Sequence, residues 1–275
     1  MALLKKIYIE ITNRCNFRCP FCCTDRREKS DMSRETFRRI VERIRPYTDY
    51  IYLHVLGEPL IHPQIAGIIE DALSSGLHVN LTTNGRQLTE KKEILKGVRQ
   101  INLSLHDWEH NIPDTDIPEL MQETLRTILG LSSTTYINLR LWNLREEEKE
   151  TGFNQVIRRY LSAQFGIATE ELQKGGNIKL TDHIFLNNSR RFRWPSAVNE
   201  PTTEKDCKGL RDHVAILVDG TVVPCCIDAN GTMPLGNILR ENLDEILRGE
   251  RATRIRKGFQ QHKAVEETCM HCGFH

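Results

Sequence analysis

Three cysteines lie within eight residues near the start of the chain, at Cys15, Cys19 and Cys22. A small loop with three and then two intervening residues can point three thiolates at one centre. A structural zinc ion takes four ligands in a closed tetrahedron, and a cubane [4Fe–4S] cluster has four irons to ligate. Three cysteines on a cubane leave one iron open to a small molecule. A zinc site or a group of surface thiols is the alternative interpretation, because a short motif needs structural context.

The pattern C-x3-C-x-(aromatic)-C, formed by Cys15, Cys19, Phe21 and Cys22 after an apolar strand, resembles the signature of the radical S-adenosylmethionine (SAM) superfamily. The resemblance implies that the three cysteines bind a [4Fe–4S] cluster, that SAM chelates the open iron and that Phe21 contacts the cofactor. It also implies that one electron, from a flavodoxin- or ferredoxin-type donor, cleaves SAM to methionine and a 5′-deoxyadenosyl radical. That radical abstracts a hydrogen atom from the substrate.

Size and charge restrict the class of protein. A chain of 275 residues suits one large α/β domain, or a medium domain with a small appendage. With 38 basic and 37 acidic side chains the net charge is +1, which argues against general nucleic-acid binding. We find neither an apolar run of roughly 20 residues for a membrane span nor a signal peptide. A cytoplasmic location is therefore expected, with the nine cysteines reduced and available as metal ligands.

Strand and helix patterns alternate along most of the chain. The alternation predicts a parallel sheet with crossover helices. Six such units fit the open, partial (β/α)6 TIM-type barrel that the resemblance implies. In this architecture ligands bind at the carboxyl ends of the strands. The predicted strands are residues 7–11, 50–56, 78–82, 101–105, 136–141 and 178–186.

Polar residues follow the predicted strands at the positions where the radical SAM family binds its cofactor. By resemblance, Gly57 and Glu58 meet the amino group of SAM, Asn84 lies beside the cofactor, and Ser104 meets its ribose or carboxylate. Leu56 replaces the first glycine of the family's Gly-Gly-Glu-Pro-like turn. Without the cysteine motif, ordinary β-turns would explain the Gly57 and Asn84 segments equally well.

Two further strand-end residues have alternative roles. Arg140 places a charge in an otherwise apolar strand, and buried charges need a partner. That partner is either the SAM carboxylate or an acidic residue of the barrel. His106 stands where the family often has an aspartate, and it either faces the substrate or is a satisfied buried histidine.

A second set of cysteines lies near the C-terminus, at Cys207, Cys225, Cys226, Cys269 and Cys272. Their spacing alone would also suit a zinc ribbon. This region resembles the SPASM extension of radical SAM enzymes, in its one-cluster twitch form. The resemblance rests on the lone cysteine, the Val-Asp-Gly hairpin before Pro-Cys-Cys, the Leu-Gly-Asn and the final Cys-x2-Cys. That resemblance implies one auxiliary [4Fe–4S] cluster on four cysteines.

Within the C-terminal set, Cys225 is preferred to Cys226 as a ligand because it is the first of the pair after Pro224. Its partners are then Cys207, Cys269 and Cys272. Cys226 and the similarly unassigned Cys23 are expected to be packed small residues. The predicted domains are a radical SAM core over 1–195 and a SPASM/twitch domain over 196–275.

The connection between the predicted domains carries Arg190, Arg191, Arg193 and Trp194, with Phe192 among them. Arginine binds phosphate and carboxylate groups bidentately, and aromatic side chains stack on rings. The segment is therefore either a site for a phosphorylated, ring-bearing small molecule or an interdomain linker anchored by its two aromatic residues.

Three functions remain open at this stage. The leading specific hypothesis is a lyase that releases queuine from queuosine 5′-phosphate, suggested by chain size, the one-cluster tail and the arginine-rich connection. The second is an aminocyclitol or alcohol dehydrogenase, or a peptide-modifying SPASM enzyme. Since the first strand begins near residue 7, we expect no room for a peptide-binding extension. The third is a non-catalytic iron–sulfur or zinc-binding protein.

Overall fold

The computed structural model describes residues 4–23, 26–144, 151–195 and 200–274. The chain forms two compact units, which are described separately. The first comprises Met1–Cys15, Cys22–Val79 and Phe192–His275, and the second comprises Asn16–Phe21 and Asn80–Arg191. Residues 192–275 thus group with the N-terminal quarter of the chain, and the boundary predicted near residue 195 stays a prediction.

The strands and helices alternate through most of the chain. The strands are β1 (Lys6–Ile9), β2 (Tyr50–Tyr52), β3 (His78–Thr83), β4 (Gln100–Ser104), β5 (Tyr136–Leu144), β6 (Gly176–Lys179), β7 (Ile184–Arg190), β8 (His213–Ile216), β9 (Thr221–Val223) and β10 (Gly236–Asn237). The α-helices are α1 (Arg34–Ile44), α2 (Ile65–Ser74), α3 (Ile117–Leu131), α4 (Gly152–Phe165), α5 (Thr169–Leu172), α6 (Leu243–Arg248), α7 (Glu250–Gln260) and α8 (Glu267–Met270).

The first unit contains strands in the order β10-β9-β8-β1-β2. Strand β1 is parallel to both β2 and β8, whereas β8 and β9 form an antiparallel hairpin. The predicted Asp219-Gly220 turn joins that hairpin, and Gly220 has a φ of 85°, which an L side chain rarely adopts. The hairpin that precedes Cys225 therefore extends the sheet whose strand β1 precedes Cys15.

The second unit contains strands in the order β3-β4-β5-β7-β6. Strands β3, β4, β5 and β7 are parallel to their neighbours. The segment predicted as one strand over 178–186 is instead an antiparallel hairpin of β6 and β7. The apolar pattern was correct, but the turn at residues 180–183 divides it.

One face of this second sheet is apolar and the other is polar. Ile101, Leu103, Ile137 and Leu139 are fully buried and alternate with Asn102, Ser104, Asn138 and Arg140 along β4 and β5. Because side chains alternate across a strand, the polar residues share the opposite face. Strands buried on both faces usually read as continuous apolar runs, so this polar face marks where chemistry can occur.

Ser33 caps α1, accepting a hydrogen bond from the backbone N–H of Thr36. The strand predicted over 50–56 ends at Tyr52. Among the described residues neither unit's sheet closes on itself, so the predicted α/β class with an open sheet is confirmed. No helix in the described ranges is long and apolar enough for a membrane span.

Candidate functional site

Glu10 lies directly after β1 and is completely buried. Its carboxylate accepts hydrogen bonds from Arg27 Nη1 at 2.6 Å and Nη2 at 2.7 Å, from Leu56 N at 3.2 Å and from Val218 N at 3.1 Å. Buried charges are stable only when paired and hydrogen-bonded. One side chain therefore ties together the segments that follow β1, β2 and β8.

The Gly57-Glu58 turn contacts the backbone just before Cys15. Gly57 has a φ of 77°, and a Cβ added there would lie 2.7 Å from the carbonyl oxygen of Arg14. Glu58 N donates to that same oxygen at 2.8 Å, and the buried Glu58 carboxylate caps the 3-10 helix Pro59–Ile61 by accepting from Leu60 N at 2.9 Å. Only glycine fits this close approach, which fixes the turn against the residue preceding the first cysteine.

In the second unit, residues 16–21 form the cluster loop, which is held by two asparagines. Asn84 Nδ2 donates to Asn16 Oδ1 at 2.8 Å. Asn111 Oδ1 accepts from Arg18 N at 2.7 Å, and Asn111 Nδ2 donates to Cys19 Sγ at 3.3 Å. The loop is therefore fixed by side-chain hydrogen bonds, since these residues belong to no helix or strand.

The ring of Phe21 is surrounded by cationic and imidazole groups. The guanidinium of Arg191 lies over the ring at 4.2 Å from the centroid. The rings of His106 and His110 lie 5.7 Å and 5.9 Å away. The structure thus brings together three predicted site residues, Phe21, His106 and Arg191.

His106 is buried and neutral. Its Nδ1 lies 3.1 Å from the carbonyl oxygen of Arg140, an acceptor, so Nδ1 carries the proton and Nε2 has the lone pair. Burial lowers the pKa of His106 to about 4, and the nearby Arg140 and Arg191 also disfavour its protonation. Nε2 lies 3.5 Å from Asp107 Oδ1. A neutral imidazole with an acceptor nitrogen is the chemical state at this position.

Arg140 and Ser104 lie on neighbouring strands at paired positions of β5 and β4. The Arg140 guanidinium stacks over Trp142 at 4.3 Å, and Ser104 is buried at the end of its strand. The role of Arg140 toward the SAM carboxylate stays a prediction.

The C-terminal cysteines lie close enough to interact electrostatically. Burial, together with the nearby Cys207 and Cys272, raises the pKa of the Cys269 thiol to about 12. Burial likewise raises the pKa of Cys207, with a contribution from Cys272. It raises the pKa of Cys225 well above its ordinary value, with contributions from Cys226 and Cys207. Enclosed thiols of this kind become thiolates only when a cation compensates their charge.

Cys226 has different surroundings from Cys225. Burial raises its pKa to about 11, and a hydrogen bond from the Tyr8 side chain opposes that rise. Cys226, Cys23 and Trp194 pack against a buried apolar cluster that includes Tyr8 and Leu217. Both leftover cysteines are therefore packed residues, as expected, and the preference for Cys225 as the ligand stays a prediction.

The connecting segment is anchored by its aromatic residues. Phe192 lies 5.1 Å from Trp194 and 5.4 Å from Phe274, measured between ring centroids. Gly273 N donates to the carbonyl oxygen of Arg193 at 3.0 Å. These contacts agree with a linker anchored by its aromatic residues, one of the two roles considered for the segment. Arg190 and Arg193 are exposed, and their substrate contacts stay predictions.

Two family models match the chain. The radical SAM superfamily matches residues 9–129, and SPASM, an iron–sulfur cluster-binding domain, matches residues 207–273. The chain therefore contains a radical SAM domain followed by a SPASM domain. The predicted recognition is confirmed, including the C-terminal SPASM domain.

Known proteins extend the similarity. The tungsten-containing aldehyde ferredoxin oxidoreductase cofactor-modifying protein of Pyrococcus furiosus is 31% identical over 37% of this chain and 29% of its own length. The SAM-dependent 2-deoxy-scyllo-inosamine dehydrogenase of Niallia circulans is 22% identical over 98% of this chain and 93% of its own. A crystal structure of BtrN with AdoMet and 2-DOIA superposes with a TM-score of 0.62 at 15% identity, covering 100% of this chain and 95% of that one, which shows a shared fold.

The relatives also limit what can be transferred. The chain spans less than half of the length of the first curated relatives that it matches. The GTP 3′,8-cyclases and the dehydrogenase among the relatives are enzymes, and the expectation of a radical SAM enzyme is confirmed at the level of the family. Their substrates remain properties of those proteins.

The radical SAM domain implies a [4Fe–4S] cluster and SAM, and the SPASM domain implies auxiliary iron–sulfur chemistry. The cysteine thiols of the two sets are suitable donors for both iron–sulfur clusters. No disulfide joins any of the nine cysteines, Cys15 and Cys22 are exposed, and Cys19 is partly buried. In the described ranges, no three His, Cys, Asp or Glu side chains are placed to hold one metal ion. The thiolates of a cubane bind different irons, so they lie around a cluster and do not converge on one metal ion.

Two residues of the site, Glu10 and Asn111, were not predicted from the sequence. Glu10 had a detectable signal, because it is a lone carboxylate in an apolar strand segment, the pattern by which Arg140 was selected. Asn111 had no signal, because its sulfur partner lies 92 positions away in sequence.

Proposed function

We propose that this radical SAM enzyme oxidises a hydroxyl group of a small, polar substrate, in the manner of a dehydrogenase. The observation that supports this choice is the nearly full-length likeness, 98% of this chain and 93% of the relative, to a SAM-dependent 2-deoxy-scyllo-inosamine dehydrogenase. The C-terminal set of four predicted ligands agrees with the proposal, since one complete auxiliary cluster can accept one electron.

When bound, SAM and its cluster supply a 5′-deoxyadenosyl radical, and the auxiliary cluster supplies a one-electron acceptor. The protein's own part begins with ligation by Cys15, Cys19 and Cys22. The Gly57-Glu58 turn, held against Arg14, provides the rigid surface predicted to contact the amino group of SAM. A turn fixed by backbone contacts loses little entropy on binding.

The oxidation requires removal of one hydrogen atom from carbon, one proton from the hydroxyl oxygen and one electron. We assign the hydroxyl contact to His106, whose Nε2 is a neutral acceptor because Nδ1 donates to the Arg140 carbonyl. The low pKa of His106, about 4, keeps that nitrogen unprotonated at neutral pH. Arg140 and Arg191 are near enough to disfavour the imidazolium form, so His106 serves as a hydrogen-bond acceptor for the hydroxyl group.

The release of queuine from queuosine 5′-phosphate is the second candidate. The exposed arginines Arg190 and Arg193 favour it, since guanidinium groups bind phosphate. It ranks second because Phe192 and Trp194, the rings proposed to stack on the substrate, pack against the protein's own side chains.

Anaerobically reconstituted protein, incubated with SAM and a strong reductant, tests the proposal directly. Formation of 5′-deoxyadenosine supports the radical SAM assignment. An aminocyclitol or related polyol should then increase its yield and lose two hydrogen atoms, as measured by mass spectrometry. Release of a free base from queuosine 5′-phosphate, with no oxidised polyol, would favour the second candidate. No 5′-deoxyadenosine, with only zinc bound, would overturn both.

A matched variant links the result to His106. His106→Gln keeps a polar side chain of similar length but removes the imidazole acceptor. We expect 5′-deoxyadenosine formation without substrate to be retained and product formation to fall by roughly 10²-fold, the usual contribution of a positioned acid–base group. Equal product yields in the variant and the wild type would remove His106 from the mechanism.

A further inference from the structure

Asn111 is the C-terminal cap of the 3-10 helix Leu105–His110. Its side chain makes three hydrogen bonds. Oδ1 accepts from Arg18 N at 2.7 Å, while Nδ2 donates to Asp107 O at 2.8 Å and to Cys19 Sγ at 3.3 Å. Within the second unit, one amide therefore connects the helix that carries His106 to the cluster loop.

The partners determine the orientation of this amide. A backbone N–H only donates and a backbone carbonyl only accepts, so Oδ1 must face Arg18 and Nδ2 must face Asp107. The second hydrogen of Nδ2 is then directed at the sulfur of Cys19. An amide flip would break both backbone hydrogen bonds. The Asn111 contact is thus an N–H···S hydrogen bond to a predicted cluster ligand.

Such a hydrogen bond affects the cluster's redox chemistry. Reduction adds one electron from an external donor, [4Fe–4S]²⁺ + e⁻ → [4Fe–4S]⁺, which increases the negative charge on the ligand sulfurs. A donor aimed at one sulfur stabilises the reduced form more than the oxidised form. Hydrogen bonds to the sulfurs and solvent exposure are known determinants of cluster potential, and Cys19 is partly shielded from solvent.

We propose that Asn111 is a positioning residue that orients Cys19 and raises the reduction potential of the SAM-binding cluster. The proposal rests on the proposed function, because it requires that Cys19 ligates that cluster. It assigns to Asn111 a role in accepting the electron that precedes substrate chemistry, separate from recognition of the substrate.

The full chain, reconstituted anaerobically, provides the test. Asn111→Asp retains the acceptor for Arg18 N but replaces the sulfur donor by an oxygen. Asn111→Leu removes both functions at similar volume. Asn230→Leu is the matched control, because Asn230 Nδ2 donates to Cys23 Sγ at 3.4 Å, and Cys23 is not a predicted ligand. The readout is the midpoint of the EPR signal that changes on addition of SAM, followed in a redox titration.

We expect the one-electron equilibrium in Asn111→Leu to shift at least tenfold toward the oxidised form, which corresponds to about 59 mV for a one-electron couple. Asn111→Asp should shift further, because a carboxylate then faces the thiolate. Asn230→Leu should leave the midpoint unchanged. Unchanged midpoints in both Asn111 variants, with iron content intact, would overturn the proposal.

Two other outcomes are also decisive. Loss of the SAM-sensitive cluster from both Asn111 variants, with Asn230→Leu intact, would overturn the redox role and leave Asn111 a purely structural residue. Absence of any SAM-sensitive signal in the wild type would instead refute the proposed function, so the two failures are distinguishable.

Discussion

Substitution of Glu10 by glutamine tests the structural basis of the site. The carboxylate is 0% exposed and accepts four hydrogen bonds, two from Arg27 and one each from Leu56 N and Val218 N. Glutamine has one acceptor oxygen and a donating NH2 group. It can satisfy about half of these donors, and its NH2 group must face another N–H.

The magnitude follows from the burial of the pair. Removing one partner of a buried ion pair costs about 3–5 kcal/mol because the other charge remains uncompensated. The Arg27 side chain is 19% exposed and recovers part of its hydration, which places the expected loss near the lower end, at about 3 kcal/mol. The loss should appear as a lower urea midpoint of the anaerobically reconstituted protein, followed by circular dichroism at matched iron content.

Two controls isolate the Glu10 interaction. Asp49→Asn makes the same carboxylate-to-amide change in a surface pair with Arg45, where the side chains are 62% and 43% exposed, and should cost less than about 1 kcal/mol. Glu10→Gln combined with Arg27→Met also removes the cation that pairs with Glu10, and should be less destabilised than the sum of the single variants.

The same change should also weaken SAM binding. Leu56 N, which Glu10 holds, directly precedes the Gly57-Glu58 turn predicted to contact the cofactor. We expect the SAM dissociation constant to rise in Glu10→Gln and not in Asp49→Asn. A stability loss for Glu10→Gln no larger than that of the control, or strict additivity with Arg27→Met, would refute the reasoning.

Three further predictions follow from the site. Cys19→Ala should abolish 5′-deoxyadenosine formation while keeping the auxiliary iron. Cys269→Ala should lose about half of the iron and destabilise the C-terminal segment, because metal binding is coupled to folding. Iron analysis and product assays distinguish the two variants, and SAM cleavage by Cys19→Ala would contradict the ligand assignment. Burial lowers the pKa values of His106 and His213 to about 4, so the unfolded chain binds protons more readily than the folded protein between about pH 6.5 and pH 4. The free energy of unfolding should therefore fall as the pH is lowered through this window, by about 3 kcal/mol for His106 alone. His106→Gln should flatten the measured slope of unfolding free energy against pH. Gly57→Ala should destabilise the protein by about 2 kcal/mol or more, since its φ is 77° and the added Cβ would clash with backbone oxygens; a thermal midpoint equal to that of the wild type would show that the turn relaxes freely.

Local chemistry made much of this protein predictable. The spacing of Cys15, Cys19 and Cys22 does not depend on how the rest of the chain folds, because the three residues lie within eight positions. Ser33 caps a helix and Asp219-Gly220 forms a turn through hydrogen bonds and φ angles of neighbouring residues alone. Family, cofactor class and open α/β fold followed from such short-range signals.

Errors arose where one apolar run could form more than one structure. The 178–186 segment is apolar enough for a single strand, and only the pairing of β6 with β7 reveals the hairpin. The arginine-rich connection was no error, because its sequence left two roles open, a ligand site or a self-anchored linker. The ring contacts among Phe192, Trp194 and Phe274 belong to the anchored arrangement, and these contacts depend on chain packing that no local pattern encodes.

The sequence by itself predicted the chemistry available: two cysteine sets, of which one has three predicted cluster ligands and the other four. Tertiary structure decided which residues support that chemistry. Glu10 meets Val218 across 208 positions, and Asn111 meets Cys19 across 92. The physical reason is that a hydrogen bond depends on distance and direction in space, and chain folding alone brings such distant residues within 3.5 Å of each other.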